Sequence, residues 1–343
     1  RRQSLFFYIV LIFLSSCLSY HVSLRSVRKG ASLRKLDVWP RQKTLLSTVE
    51  DTTVIQIDGQ QSPLKKIESS LKLVYKFSRP HTIKGTMLAS FMGVTRALLE
   101  NPNKFNTALV PRAVIGLFAL LCGNAYIVGI NQIYDVKIDE INKPFLPIAA
   151  KSLSESKAWL IVLGALAMGM TIVKTQFSAP IFYLYLLGTT LGTLYSVPPI
   201  QLKKYPICAG SIIACVRGFL LNFGVYYAVR EALQVPFQWN AVVLFISLFM
   251  TVFASVIAVT KDLPDVKGDE KYSIRTFATK YGIRTIAKLS TIALCLAYAG
   301  AISLPFLLKG KFKVLPMTLG HFAFLIYSLI NYQRLNATDM TSV

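Results

Sequence analysis

Beyond about residue 80 the chain is a succession of apolar stretches, each close to the ~20 residues that a helix needs to cross a bilayer, with no globular interval between them. They run from Ile83 to Leu99, Arg112 to Ile130, Ala158 to Val173, Pro180 to Val197, Ile207 to Tyr227, Ala241 to Val259, Thr285 to Leu307 and Val314 to Tyr332. Eight such runs predict an all-α fold, a polytopic membrane helix bundle. Composition agrees: 53% of the 343 residues are hydrophobic and 16% charged, with a mean hydropathy of +0.50. An ordinary soluble domain is about one quarter charged.

The net charge is +22. Cations flanking membrane spans on the inner side, together with a basic leader, account for that excess. The bilayer is therefore the expected partner, and nucleic acid is not. Five cysteines (Cys17, Cys122, Cys208, Cys215, Cys295) are scattered, mostly inside apolar runs, without C-x-x-C spacing. They read as packing residues.

Residues 1–70 read as a leader and linker. Arg1-Arg2, the apolar run Leu5 to Leu14 and the small patch Ser15-Ser16-Cys17 make residues 1–20 signal-like. From His21 to Val49 the chain is rich in Ser, Arg and Lys with Asp37 as its only acid, so residues 21–50 are transit-like. Such a two-part address predicts a plastid reached through the secretory route, with a signal-anchored endomembrane enzyme as the alternative. The first residue is Arg rather than Met, so a start further upstream is expected. Residues 71–335 form the membrane domain and 336–343 a polar tail.

Even-numbered spans end on one side of the membrane. The second runs into Asn131-Gln-Ile-Tyr-Asp135-Val-Lys-Ile-Asp139, the fourth into Tyr195-Ser-Val-Pro-Pro-Ile-Gln-Leu-Lys203-Lys204, and the sixth into Lys261-Asp262-Leu-Pro-Asp265-Val-Lys-Gly-Asp269. All three segments are expected on one face, together with Lys76 and Arg79 ahead of the first span. That face is the more basic one, whereas the opposite loops carry Arg96, Lys104, Lys174, Arg230 and Lys309. The positive-inside rule places it on the cytoplasm-equivalent side, the stroma in a plastid.

The chain holds only 16 acids, so two acidic motifs at span ends carry weight. If the helices continue through them, Asn131, Asp135 and Asp139 share one face, as do Asp262, Asp265 and Asp269. Mg²⁺ takes one or two carboxylates plus phosphate oxygens and water, so two facing stacks are suited to a metal-bound diphosphate. Arg217 and Asn222 lie inside the fifth span, where polar groups usually face a cavity; an Arg snorkelling to the interface is the alternative. Lys203 and Lys204 read as positive-inside markers, with contact of one of them to phosphate as the alternative, and His81 reads as a polar helix-entry residue. A cation transporter would also use acids at helix ends, but no acid lies deep in the spans to relay an ion.

On these motifs the chain resembles the UbiA superfamily of intramembrane aromatic prenyltransferases. Asn131-Gln132 with Asp135 and Asp139 matches its first motif in the Gln form, and Asp262, Asp265 and Asp269 match the second. Phe77 to Thr82, Asn131 to Ala150, Leu194 to Pro199, Val216 to Tyr226, Pro236 to Trp239 and Thr260 to Asp265 are similar to the plastid branch that prenylates homogentisate, its solanesyl-transferring members above all. The resemblance implies nine helices around a cavity, against eight visible: either one span escapes the count or the last helix lies beyond residue 343. It implies Mg²⁺ on Asp135, Asp139, Asp262, Asp265 and Asp269. Asp135, Asp262, Lys203 and Arg217 would be catalytic, and Asn131, Arg79, Lys204, Tyr195, Asn222 and Lys261 would bind substrate. The implied substrates are a polyprenyl diphosphate and homogentisate. The product would be a methyl-prenyl-benzoquinol of plastoquinone synthesis. Phytyl or geranylgeranyl transfer, 4-hydroxybenzoate prenylation and chlorophyll synthesis are the alternatives within the superfamily.

Overall fold

The computed structural model describes residues 63–104, 106–271 and 275–337. The signal-like and transit-like segments, Cys17 and nearly all of the polar tail lie outside the described residues. Regular structure among these residues is wholly helical. An amphipathic helix α1 (Pro63–Phe77) precedes α2 (Pro80–Glu100), α3 (Leu109–Tyr134), α4 (Val136–Asn142), α5 (Glu155–Gln176) and α6 (Ala179–Ser196). There follow α7 (Pro206–Ala232), α8 (Ala241–Thr260), α9 (Val266–Lys271), α10 (Phe277–Tyr281), α11 (Ile283–Leu307) and α12 (Val314–Ala337). The short helix α1 begins within the stretch read as linker.

Eight long helices coincide with the eight expected spans, and six of them are both long and apolar enough to cross a membrane. The two others, α2 and α6, have the length but are diluted by polar side chains, such as Thr82, Thr86 and Ser90 in α2 and Thr189 and Thr193 in α6. These hydroxyls bond back to carbonyls one turn earlier, which satisfies them inside the bundle.

Close helix contacts rest on small residues. A Cβ at Gly129 of α3 would lie 2.5 Å from Val162 of α5 and 2.9 Å from Phe77. That approach closes a core of Phe77, Tyr126, Ile130, Ile133, Ile148, Leu153, Ala158 and Val162 directly beneath the first acidic motif. Within α7, residues Ala214–Leu220 widen into a π-helical turn, a feature common at functional sites. Gly218 in this turn touches the α8 backbone at Thr251, where a methyl group would overlap it. Asn222 donates its amide to the carbonyls of Gly218 (2.8 Å) and Arg217 (3.3 Å), both in this turn.

The long helices do not run unbroken through the motifs. The axis breaks at Asp135 (φ −107°, ψ 10°), between α3 and α4. In the second motif α8 stops at Thr260, a turn carries residues 261–265 and α9 begins at Val266. Pro264 has no N–H to donate and disfavours helical geometry at Leu263, which explains the stop. The carboxylates therefore project from turns and short helices rather than from one continuous helix face.

Candidate active site

The ends of α3, α6 and α8 and the start of α2 meet at one end of the bundle, as the parity of the spans predicts. Lys203, in the 3₁₀ turn Leu202–Lys204 after α6, forms an ion pair with Asp135. Lys143, just beyond α4, pairs with Asp265 of the second motif. Asn142 donates to Asp269 at 3.4 Å. Lys261 lies 2.9 Å from Asp262 and donates to the Tyr195 hydroxyl at 3.2 Å. Asn131 donates to Asp135 at 2.8 Å and accepts from Arg79 at 3.4 Å.

Arg79 occupies the turn between α1 and α2 with φ +54°, ψ 92°, a region costly for a residue with a Cβ. The turn is held from α3: Gln132 donates to the Phe77 carbonyl at 2.6 Å, and Asn124 to the Ser78 carbonyl at 3.2 Å. Asn124 also accepts from Arg217 at 3.4 Å, and both Arg79 and Arg217 act electrostatically on His81. Arg217 and Arg79 are thus joined through Asn124 and the strained turn, next to Asp139, whose carboxylate lies 3.8 Å from Arg79.

Burial, opposed by Arg79 and Lys143 and reinforced by Asp135 and Asp265, pushes the Asp139 carboxyl up to about 6. Asp269 is also pushed up to about 6, by burial and then by Asp262 and Asp265. Burial lowers the Lys203 ammonium, against the pull of Asp135. Two acids in this group are therefore short of positive charge. Oδ2 of Asp139 is buried with no hydrogen-bond partner.

Of the sequence-predicted residues, the structure brings Asn131, Asp135, Asp139, Lys203, Arg79, Tyr195, Lys261, Asp262, Asp265 and Asp269 to one end. Lys204 is on the same turn but exposed, and Asn222 spends its amide on the π-helical turn. Among the described residues no three acidic, histidine or cysteine side chains converge on one point; Asp135, Asp265 and Asp139 instead face Lys203, Lys143 and Arg79 respectively. An oxygen-only donor set, with an orphaned buried carboxylate oxygen, nonetheless fits a hard divalent cation.

Asn124 and Lys143 are additions that the sequence pattern does not single out, and Gln132, named there only as part of the first motif, proves to hold the Arg79 turn. Asn124 and Gln132 are polar residues eight apart in an apolar span, on one helix face; that spacing was the available signal. Lys143 carries none, because its partner is 122 residues away.

Residues 86–342 match the family model described as "UbiA prenyltransferase family". A probable homogentisate phytyltransferase 2, chloroplastic, of Oryza sativa subsp. japonica is 57% identical over 253 residues, 74% of this chain and 67% of that protein. A homogentisate solanesyltransferase, chloroplastic, of Arabidopsis thaliana is 53% identical over 250 residues, 73% and 65% of the two chains. The chain thus spans about two thirds of the length of these curated relatives. Among solved structures, a UbiA homolog from Archaeoglobus fulgidus bound to GPP and Mg²⁺ shares the fold. Its TM-score is 0.60 at 17% identity, covering 77% of this chain and 87% of that one.

Proposed function

This chain belongs to the UbiA prenyltransferase family, and we propose that it transfers a polyprenyl group, solanesyl in preference to phytyl or geranylgeranyl, from its diphosphate to homogentisate in a plastid membrane. The observation that carries this is the meeting, at one end of an apolar bundle, of five aspartates from two segments with Lys203, Lys143 and Arg79, with Arg217 linked to the Arg79 turn through Asn124. Acids alone suit a metal and bases alone an anion; the mixture suits a metal-bound diphosphate.

Mg²⁺ on Asp135, Asp139, Asp262, Asp265 and Asp269, with Asn131 assisting, would supply the charge that neutralises a leaving diphosphate. Lys203, Arg79 and Arg217 bind its oxygens directly, Lys204 and the Lys261–Tyr195 pair flank them, and Asn124 and Gln132 hold the Arg79 turn. The allylic C–O bond breaks with its electron pair on the diphosphate. A carbon of the electron-rich ring then bonds to the allylic carbon and loses its own proton, while the acetate side chain loses its carboxylate as CO₂ and its methylene takes up a proton to become the methyl group. Apolar walls keep out water, which would trap the cation as an alcohol. The product is 2-methyl-6-polyprenyl-1,4-benzoquinol, an intermediate of plastoquinone synthesis. The two relatives above differ in the prenyl group their names carry, so the donor is the point to test. Membranes holding the full chain, given homogentisate with solanesyl, phytyl or geranylgeranyl diphosphate in turn, are expected to form the solanesyl product fastest. Faster phytyl transfer moves the enzyme to the tocopherol branch, and divalent-ion flux without any prenyl product would make it a transporter.

The raised Asp139 and Asp269 carboxyls set a pH dependence. Metal must displace protons held up to about pH 6, so apparent Mg²⁺ affinity is expected to climb roughly tenfold in total for each proton displaced between about pH 5 and 7, most of it below pH 6. The metal-free protein behaves oppositely. Its folded acids hold protons more tightly than unfolded ones, so its stability falls as pH rises from the unfolded value of 3.8 through about 6. Calorimetric Mg²⁺ titrations at pH 5, 6 and 7 check the first and melting without metal checks the second; flat profiles contradict the assignment.

A further inference from the structure

Lys143 lies outside both acidic motifs yet joins them. It follows the last residue of α4, forms an ion pair with Asp265, and acts electrostatically on Asp139 in the first motif and on Asp269 in the second. Its neighbour Asn142 donates to Asp269 and packs so closely on α9 that a methyl at Gly268 would overlap its side-chain amide. α4 and α9 therefore meet through Asn142, Gly268 and a single ammonium set among three carboxylates. Side chains 28% and 13% exposed at Lys143 and Asp265 place that pair partly out of water, where a charge counts for more than at a free surface.

Resting on the diphosphate reading above, we propose that Lys143 is a resident counter-cation: its ammonium holds the two acidic segments together without metal and moves to phosphate when the donor arrives, making metal loading conditional on the donor. An ammonium and a divalent ion compete for the same carboxylates. A diphosphate resolves the competition, since it adds negative charge for both cations. Lys143 is thus a positioning residue in the resting protein and a phosphate contact in the loaded one.

The two roles have opposite signatures, which a scaffolding residue cannot produce. Full-length protein in lipid nanodiscs is titrated with Mn²⁺ by electron paramagnetic resonance, alone and with the unreactive analogue geranyl thiolodiphosphate. Lys143→Met keeps most of the unbranched side chain without the charge. It is expected to bind Mn²⁺ roughly tenfold more tightly without the analogue, and the analogue roughly tenfold more weakly at saturating Mn²⁺. Lys143→Arg should keep wild-type Mn²⁺ affinity in the absence of the analogue, and Lys143→Gln provides a second neutral variant should Met misfold. Weakening in both titrations reduces Lys143 to a structural clasp, and no change in either makes it a bystander; both outcomes overturn the proposal. Wild type that loads Mn²⁺ in this pattern yet prenylates no aromatic acceptor leaves the proposal standing and removes the reaction assigned above. Wild type that binds no Mn²⁺ in either condition overturns both.

Discussion

Asp135→Ala and Asp265→Ala are each expected to lower turnover by roughly a thousandfold or more while the protein still inserts and stays helical. Each carboxylate belongs to a different motif, and each is partnered by a lysine, Asp135 by Lys203 and Asp265 by Lys143. Removing either acid leaves an ammonium without its counter-charge and takes away one ligand of the proposed Mg²⁺ site. The structural cost is modest. Both residues sit in turns beyond the long helices, outside the packed core of Phe77, Ile130, Ile133 and Val162, and their loss is expected to cost about 1–3 kcal/mol. Asp135→Asn separates charge from shape, since an amide still accepts from Asn131 but binds metal poorly. It should be nearly as inactive as Asp135→Ala. Product formation by chromatography, read beside circular dichroism of the purified variants, decides the matter. A variant that keeps near-normal rates would remove its motif from the reaction.

The spans and the convergence of the acidic segments were legible because both follow from local pattern. Apolar run length marks each long helix, and counting spans puts Asp135, Lys203 and Asp262 on one face without any knowledge of packing. What could not be read is what depends on pairs far apart in the chain. Lys203 meets Asp135 across 68 residues, and Lys143 meets Asp265 across 122. No periodicity announces that these cations pair with the carboxylates. The expectation of continuous acidic helix faces failed at Asp135 and before Pro264, where backbone breaks re-aim side chains. Asn222, polar at membrane depth and expected to face a cavity, donates its amide to carbonyls of the π-helical turn beside Arg217, a use that polarity alone does not announce.

Arg96 and Arg230 show the same limit at the other end of the bundle. By sequence they are cations of the less basic face; in the structure they converge on Glu100, the last residue of α2. Glu100 accepts from Arg96 at 2.7 Å, Arg230 at 3.1 Å, Asn240 at 2.9 Å and the Tyr226 hydroxyl. Arg230 in turn donates to the Pro236 carbonyl at 2.7 Å. A single carboxylate therefore ties α2, the end of α7 and the start of α8. The packed Ala97, Tyr226, Leu233 and Val243 shield this group from water.

Glu100→Ala is accordingly expected to cost about 3–5 kcal/mol, the penalty for leaving buried partners of a broken ion pair uncompensated. Two guanidiniums lose their counter-charge together; Arg230 is only 6% exposed, so water cannot easily take over there, whereas the Arg96 side chain, 30% exposed, is partly hydrated and adds less to the cost. Melting should fall by roughly 10 °C, at about 2–4 °C per kcal/mol for a domain of this size. Glu100→Gln, which keeps the acceptor oxygen and loses the charge, should fall between wild type and Ala. The group lies at the opposite end of α2 from Arg79, so Mg²⁺ affinity and donor KM are expected to stay within about twofold of wild type, distant sites being close to additive. Thermal melts followed by tryptophan fluorescence suit the test, because Trp239 neighbours Asn240 and stacks on Phe223. An unchanged melting temperature would mean that the cluster is hydrated and contributes little. A lost Mg²⁺ affinity with intact melting would mean that the two ends of the bundle are coupled, contrary to the separation of their networks.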